Sequence, residues 1–347
     1  PFSNCRINIM HAPFGDPMST IYLPIIALLA GLLGLVWGAD KFVTGSAGVA
    51  RNFGISSMII GLTVVSIGTS SPEIIVSINA SLSDVGGLAV GNALGSNLAN
   101  IGLVLGITTL VAPLPVPTHL LKEESPVLLL ITILAGLCLY DGELNRGESI
   151  ALGLMVIPII AILVKNKKSR PNQEAANDVS AATDFSMKTS SLYLLLGLVI
   201  LLLSAEVTVW GATSIAYFFG ISDVIVGLTV VAIGTSLPEL AASVVSATKG
   251  HHDIAVGNIF GSNLFNLLLV MTTAGAIAPI ALPSEIFSRD YLSLLVMTLM
   301  MIGLVGWTVR KNRHIKSVAR LSRFVGFILL TGYALYYVVL WSSLTIS

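Results

Sequence analysis

The chain has 347 residues, of which 54% are hydrophobic and 10% charged, and its 18 basic side chains are balanced by 18 acidic ones. Such a composition excludes an ordinary soluble domain and points to a polytopic membrane protein. With no basic excess there is no face to hold a nucleic acid, and two cysteines, Cys5 and Cys138, do not make a disulfide framework.

Residues 1–17 show neither periodicity nor the apolar core of a signal peptide. They are expected to be a disordered or non-native extension ahead of Met18. Apolar spans long enough to cross a bilayer follow near 20–45, 55–82, 88–111, 126–140, 149–164, 191–217, 222–248, 254–278, 290–309 and 321–343. The fourth and fifth are short. The expected fold is therefore an all-α polytopic membrane protein with ten transmembrane helices, in two five-helix repeats at 18–164 and 191–347. The long polar stretch 165–190 between them reads as a flexible linker.

Lysine and arginine set the orientation. With ten spans, fifteen of the eighteen basic residues fall in one set of loops, and only Arg6, Arg146 and Arg289 fall in the other. The positive-inside rule then places both termini outside and the 165–190 linker in the cytoplasm. Residues 61–103 recur at 227–269 without a gap, 166 residues on, with about half of the positions identical. The register extends upstream: Asp40 falls on Glu206, and Phe53-Gly54-Ile55-Ser56 on Phe219-Gly220-Ile221-Ser222. Five spans is an odd number, so the second repeat enters the membrane inverted. That is an architecture for alternating access to a midplane site.

Each repeat carries an acid inside an apolar span. Ser66, Thr69, Ser70, Glu73 and Ser77 share one helical face, and Ala232, Thr235, Ser236, Glu239 and Ser243 repeat it. A carboxylate is costly in hydrocarbon, so Glu73 and Glu239 mark a functional site. Pro72 and Pro238 directly precede them. A proline removes one N–H and clashes with the carbonyl four residues back, here that of Gly68 or Gly234, so each helix is expected to break and free carbonyls near Ser66–Gly68 and Ala232–Gly234. The third and eighth spans add Asn92, Ser96 and Asn100, and Asn258, Ser262 and Asn266. Gly91, Gly95, Gly257 and Gly261 should allow close helix approach. Carboxylates, hydroxyls, amides and carbonyls without thiolate or imidazole form an all-oxygen set, suited to hard cations such as Ca2+ and Na+, and also Mg2+ or Mn2+. Two negative charges balance one divalent or two monovalent ions, which gives a physical basis for exchange at a shared site.

At these residues the sequence resembles the cation/Ca2+ exchanger superfamily in its Na+/Ca2+ exchanger branch, and more narrowly the bacterial inner-membrane exchangers. The resemblance spans essentially 18–347. It rests on paired GTSxPE motifs (Gly68–Glu73, Gly234–Glu239) and paired GNxxGSN motifs (Gly91–Asn97, Gly257–Asn263). It implies an ion-binding core of spans two, three, seven and eight, across which long first and sixth helices slide. The implied metal ligands are Glu73 and Glu239, surrounded by Thr69, Ser70, Thr235 and Ser236, with Ser96, Ser262, Asn100 and Asn266 on the adjoining helices. The carbonyls of Ser66 and Ala232 would flank them. Many relatives carry Asp where this chain has Asn266, which argues against K+ co-transport and an extra proton-binding carboxylate. The resemblance implies an inner-membrane antiporter without cofactor, whose substrates are Ca2+ and Na+. No obligate protein partner is evident, and the linker is too short for a regulatory Ca2+-binding domain.

Other polar residues have plainer roles. The side chains of Ser66, Ser77, Ser243 and Ser246 suit bonds to a carbonyl one turn back or helix packing. Asn97 and Asn263 lie off the Asn-Ser-Asn face. Asn92 and Asn258 fit either the site or a helix cap. Asp40 suits pairing with Lys41, His251-His252 makes a poor metal site, and the basic run Arg310–Arg323 reads as a topology determinant.

The leading function is Ca2+/Na+ antiport. Proton-coupled antiport of Ca2+ or another divalent cation through the same site is the alternative, against which stand Asn100 and Asn266 where further acids would be expected. An intramembrane hydrolase using Ser70 or Ser236 would need a general base in reach, and all five histidines lie outside the spans. A passive channel would not require buried acids to be neutralised at each step.

Overall fold

The computed structural model describes residues 19–83, 85–116, 119–168, 185–221, 226–311 and 319–346. It is built almost entirely of helices. The first half contains α1 (Ser19–Phe53), α2 (Ser57–Thr69), α3 (Ser71–Leu82), α4 (Gly86–Val111), α5 (Ser125–Leu139), α6 (Arg146–Leu154) and α7 (Val156–Lys168). The second contains α8 (Met187–Phe218), α9 (Thr229–Thr235), α10 (Leu237–Thr248), α11 (His252–Ile277), α12 (Ile286–Lys311) and α13 (Arg323–Ile346). Among the described residues seven helical segments are long and apolar enough to cross a membrane, and nine if the bent pairs α2–α3 and α9–α10 each count as one span. The expected fourth span appears as α5, only fifteen residues, prolonged at its start by a π turn over Leu120–Glu124. The expected fifth begins early, at Arg146, where Asn145 and Glu148 form a reciprocal cap. Residues 1–17 and Cys5 lie outside the described residues, as does most of the expected 165–190 linker; helices reach Lys168 on one side of it and begin at Met187 on the other.

Helix boundaries recur with the sequence repeat. Both α3 and α10, and both α4 and α11, start and stop 166 residues apart. Four π turns do the same: Gly61–Val65 with Gly227–Val231, and Asn100–Val104 with Asn266–Val270. The centre of the molecule is α11, with α4 beside it. Within their apolar windows 94% of α11 and 72% of α4 are buried, against 22% of α1 and 28% of α8. The outward faces of α1 and α8 carry Leu29, Leu33, Val36, Leu195, Val199 and Leu203. In water such faces would be a liability; in lipid they are the appropriate solvent.

The long helices α1 and α8 pack antiparallel along their length. Gly31, Gly38 and Gly45 recur every seven residues, and so do Gly197, Ser204 and Gly211. A Cβ at Gly45 would lie 2.2 Å from the Leu194 backbone nitrogen, and one at Gly197 2.2 Å from that of Phe42. Only glycine permits backbones this close.

Among the described residues four two-residue strands accompany the helices: β1 (Leu114–Pro115), β2 (Glu143–Leu144), β3 (Ile280–Ala281) and β4 (Arg320–Leu321). β1 pairs antiparallel with β4, and β2 with β3, so each ribbon joins a loop of one half to a loop of the other. Arg323 Nε donating to the Leu110 carbonyl at 3.0 Å and Arg146 donating to the Ile277 carbonyl at 2.8 Å reinforce the same two ties.

Candidate ion-binding site

The two prolines act differently from a mid-helix kink. Each chain turns at a serine, Ser70 (φ −83°, ψ 7°) or Ser236 (φ −90°, ψ 6°), and a new helix starts at the next residue. Pro72 and Pro238 then sit in a first turn, where the missing N–H has no partner to lose. The axes bend by 44° between α2 and α3 and by 51° between α9 and α10. The bend moves Glu73 and Glu239 from mid-helix to the first turn of α3 and α10. There the unpaired N–H groups and the positive end of the helix dipole favour a carboxylate.

Both acids are buried, at 1% exposure each. Ser70 Oγ donates to Glu239 Oε1 at 2.9 Å, a bond that links the break of one half to the acid of the other. Thr69 also lies against Glu239, and the Ser96 hydroxyl lies against Glu73. The two carboxylates are within range of each other's charge. On the same four spans several buried polar atoms have no hydrogen-bond partner, among them Glu73 Oε2, Glu239 Oε2, Ser236 Oγ, Ser262 Oγ, and both amide atoms of Asn100 and of Asn266. Buried polar groups are almost always paired. Buried oxygens left unpaired on helices that carry a buried acid are free to hold a cation. Among the described residues no three or more His, Cys, Asp or Glu come together so as to hold a metal ion.

The backbone carbonyls differ between halves. The Ser70 N–H keeps a normal bond to the Ser66 carbonyl at 3.0 Å, whereas the Ser236 N–H turns to Ile233 at 3.1 Å and leaves the Ala232 carbonyl to the Thr235 hydroxyl at 3.2 Å. Burial is unequal as well. Ser66, Thr69, Gly257, Asn258 and Gly261 are buried, while their repeat mates Ala232, Thr235, Gly91, Asn92 and Gly95 are partly exposed. Close helix approach holds for Gly257 and Gly261, whose Cβ atoms would come within 2.8 Å of the Met58 carbonyl and 2.4 Å of Ser66 Oγ. Among the described residues it does not hold for Gly91 and Gly95, which face open space. The α2–α11 contact is thus tight and the equivalent α9–α4 contact loose.

Of the remaining polar residues, Ser66 Oγ donates to the Thr63 carbonyl and Asn263 Nδ2 to the Ile259 carbonyl. Ser77 donates across helices to the Val270 carbonyl at 2.6 Å. Asn97 is buried with both amide atoms unpartnered, and nothing in the structure explains it. Two features escaped the sequence. Asn258 reaches Thr69, Ser243 and the Glu239 carbonyl. Asp40 pairs with Lys41 as expected, at 3.5 Å, but also with Lys249 at the end of α10. The first could be glimpsed in the Asn-Ser-Asn stripe; the second needs the packing of α1 on α10.

Each bent helix pair thus buries one acid inside a bundle of apolar helices long enough to cross a membrane. The sequence profile described as sodium/calcium exchanger protein matches twice, over residues 23–166 and 189–342. A putative antiporter, CaxA, of Alkalimonas amylolytica is 42% identical over 321 residues, covering 92% of this chain and 98% of its own. Inner membrane protein YrbG of Escherichia coli is 41% identical over 285 residues, 81% of this chain and 87% of its own. A solved structure of the sodium-calcium exchanger NCX_Mj, soaked with zero Na+ and Ca2+, superposes with a TM-score of 0.78 at 31% identity, over 92% of this chain and 99% of that one. The chain belongs to the sodium/calcium exchanger family, and is a membrane cation antiporter rather than an enzyme.

Proposed function

We propose that the chain exchanges Ca2+ for Na+ across the membrane by alternating access at one site built on Glu73 and Glu239. The observation that carries this is the Ser70–Glu239 bond, which joins the break of one half to the acid of the other, on helices that also bear unpartnered buried oxygens. Thr69, Ser70, Thr235, Ser236, Ser96, Ser262, Asn100 and Asn266 supply neutral donors, and the carbonyls of Ala232 and Ser66 flank them. A bare pair of carboxylates in low dielectric disfavours the conformational switch, so passage requires a bound cation. Asn100 and Asn266 add no further acid, which favours Na+ over protons as counter-ion. Mid-membrane, one Ca2+ or two Na+ leave the site neutral.

Ten spans in two inverted repeats account for the cross-half contacts. In that topology β1 and β4 both lie on the cytoplasmic face and β2 and β3 both lie outside, as do the two ends of each arginine tie. The termini are then outside, the 165–190 linker is cytoplasmic, and an inner-membrane location follows the Escherichia coli relative. The loose α9–α4 contact lies toward the outside, so ions reach Thr235 and Ala232 from that face.

The test uses purified protein in liposomes loaded with Na+ and diluted into Na+-free medium, with Ca2+ entry followed. Entry should depend on the outward Na+ gradient. Entry that ignores it and follows a pH gradient would replace Na+ by protons as the counter-ion.

A further inference from the structure

A hydroxyl that ligates a cation offers a lone pair and must send its hydrogen elsewhere. Thr69 and Thr235 are repeat mates, yet their hydrogens have different destinations. Thr235 donates to the Ala232 carbonyl at 3.2 Å. Thr69 has the equivalent choice, the Ser66 carbonyl at 3.4 Å, but that oxygen already accepts the Ser70 N–H; Thr69 also lies against the Glu239 carboxylate, which already accepts from Ser70, and Asn258 Oδ1 lies at 3.1 Å. The Asn258 amide has only one sensible orientation. Its other end faces the Glu239 carbonyl at 3.4 Å, which can only accept, and the Ser243 hydroxyl at 3.0 Å, so Nδ2 points there and Oδ1 must face Thr69. Asn258 is fully buried, and its one amide spans α2, α10 and α11. The repeat mate does not do this. Asn92 is partly exposed with Nδ2 unpartnered, and Ser77, the mate of Ser243, is committed to Val270.

We propose that Asn258 is a positioning residue of the exchange site: Oδ1 takes the Thr69 hydrogen, so that the Thr69 oxygen presents a lone pair to the bound cation. The assignment rests on the two-glutamate site and adds the residue that orients one of its ligands. Removing Asn258 leaves the Thr69 hydroxyl free to turn its hydrogen into the site, where it repels a cation.

The test is Na+-driven Ca2+ uptake into proteoliposomes containing N258L, T69V or both. N258L should raise the Ca2+ half-saturation about tenfold, the scale of one buried hydrogen bond, with the maximal rate within about twofold of wild type. T69V should do the same, and the double variant should be no worse than T69V alone. Multiplying effects, or an unchanged half-saturation in N258L, would overturn the assignment. Should N258L not fold, N258D retains an acceptor toward Thr69 but no donor toward the Glu239 carbonyl. In the N258D background T69V should still cost about tenfold, and equal half-saturations would refute the role. E239Q separates the two levels. If it transports normally, the site itself is wrong; if it is inactive while N258L behaves as wild type, only the Asn258 role fails.

Discussion

Lys249 provides the sharpest handle on the proposed alternating access. Its ammonium pairs with the Asp40 carboxylate and donates to the Thr44 hydroxyl at 2.8 Å and the Asp40 carbonyl at 3.3 Å. It therefore ties the end of α10 to the middle of α1. The repeat mate of Asp40, Glu206, is exposed, and the position equivalent to Lys249 in the first half is Ser83, so the tie exists in one half only. Displacement of α1 along the core would break it. The pair is about one-third exposed, 33% and 36%, so water screens it and the tie is worth about 1 kcal/mol at most. Lys249→Gln should then shift the balance between the two access states by about fivefold, against the one described here. In proteoliposomes of defined orientation, Ca2+ half-saturation should rise on the face to which this state opens and fall on the opposite face. The shift should fade as ionic strength approaches 1 M, where the screening length is about 3 Å. Half-saturations that move in the same direction on both faces, or not at all, would show that the tie does not discriminate between states.

Other substitutions test the site and the packing. Glu73→Gln and Glu239→Gln should each abolish exchange while the protein elutes as a folded species in detergent; exchange retained in either removes that acid from the site. Ser70→Ala deletes the donor to Glu239 and should weaken Ca2+ binding by about 1.5–3 kcal/mol, seen as at least a tenfold rise in half-saturation. Gly197→Val drives a side chain into the Phe42 backbone and should destabilise by about 1–3 kcal/mol or prevent folding. Gly87→Ala, where a Cβ meets nothing within 4 Å, should leave the melting temperature unchanged or higher.

What could be read in advance was whatever the repeat states twice. The apolar spans, the acids, the prolines and the polar stripes are local patterns, and duplication at one offset lifts them above chance. The broken helices were legible because proline has a fixed consequence, although its position in a first turn rather than a kink depends on where Ser70 and Ser236 leave the helical region. The π turns after Asn100 and Asn266 were not legible, since a spacing of four residues fits an ordinary α-helix equally well. Nor was the asymmetry between halves. Near-identical motifs cannot tell that Gly257 is clasped and Gly91 is not, because that difference lies in which helix packs against each glycine. The same holds for Asn258 and Asn92, identical residues in identical motifs with different partners.

The two short ribbons bear on how the molecule is made. β1 and β2 are both synthesised with the first half, but their partners β4 and β3 belong to the second. Neither ribbon can close before the second half has been made: β2 waits for the residues at 280–281, and β1 for those at 320–321, near the end of the chain. The two halves are thus stapled to each other at both ribbons only once nearly the whole chain exists.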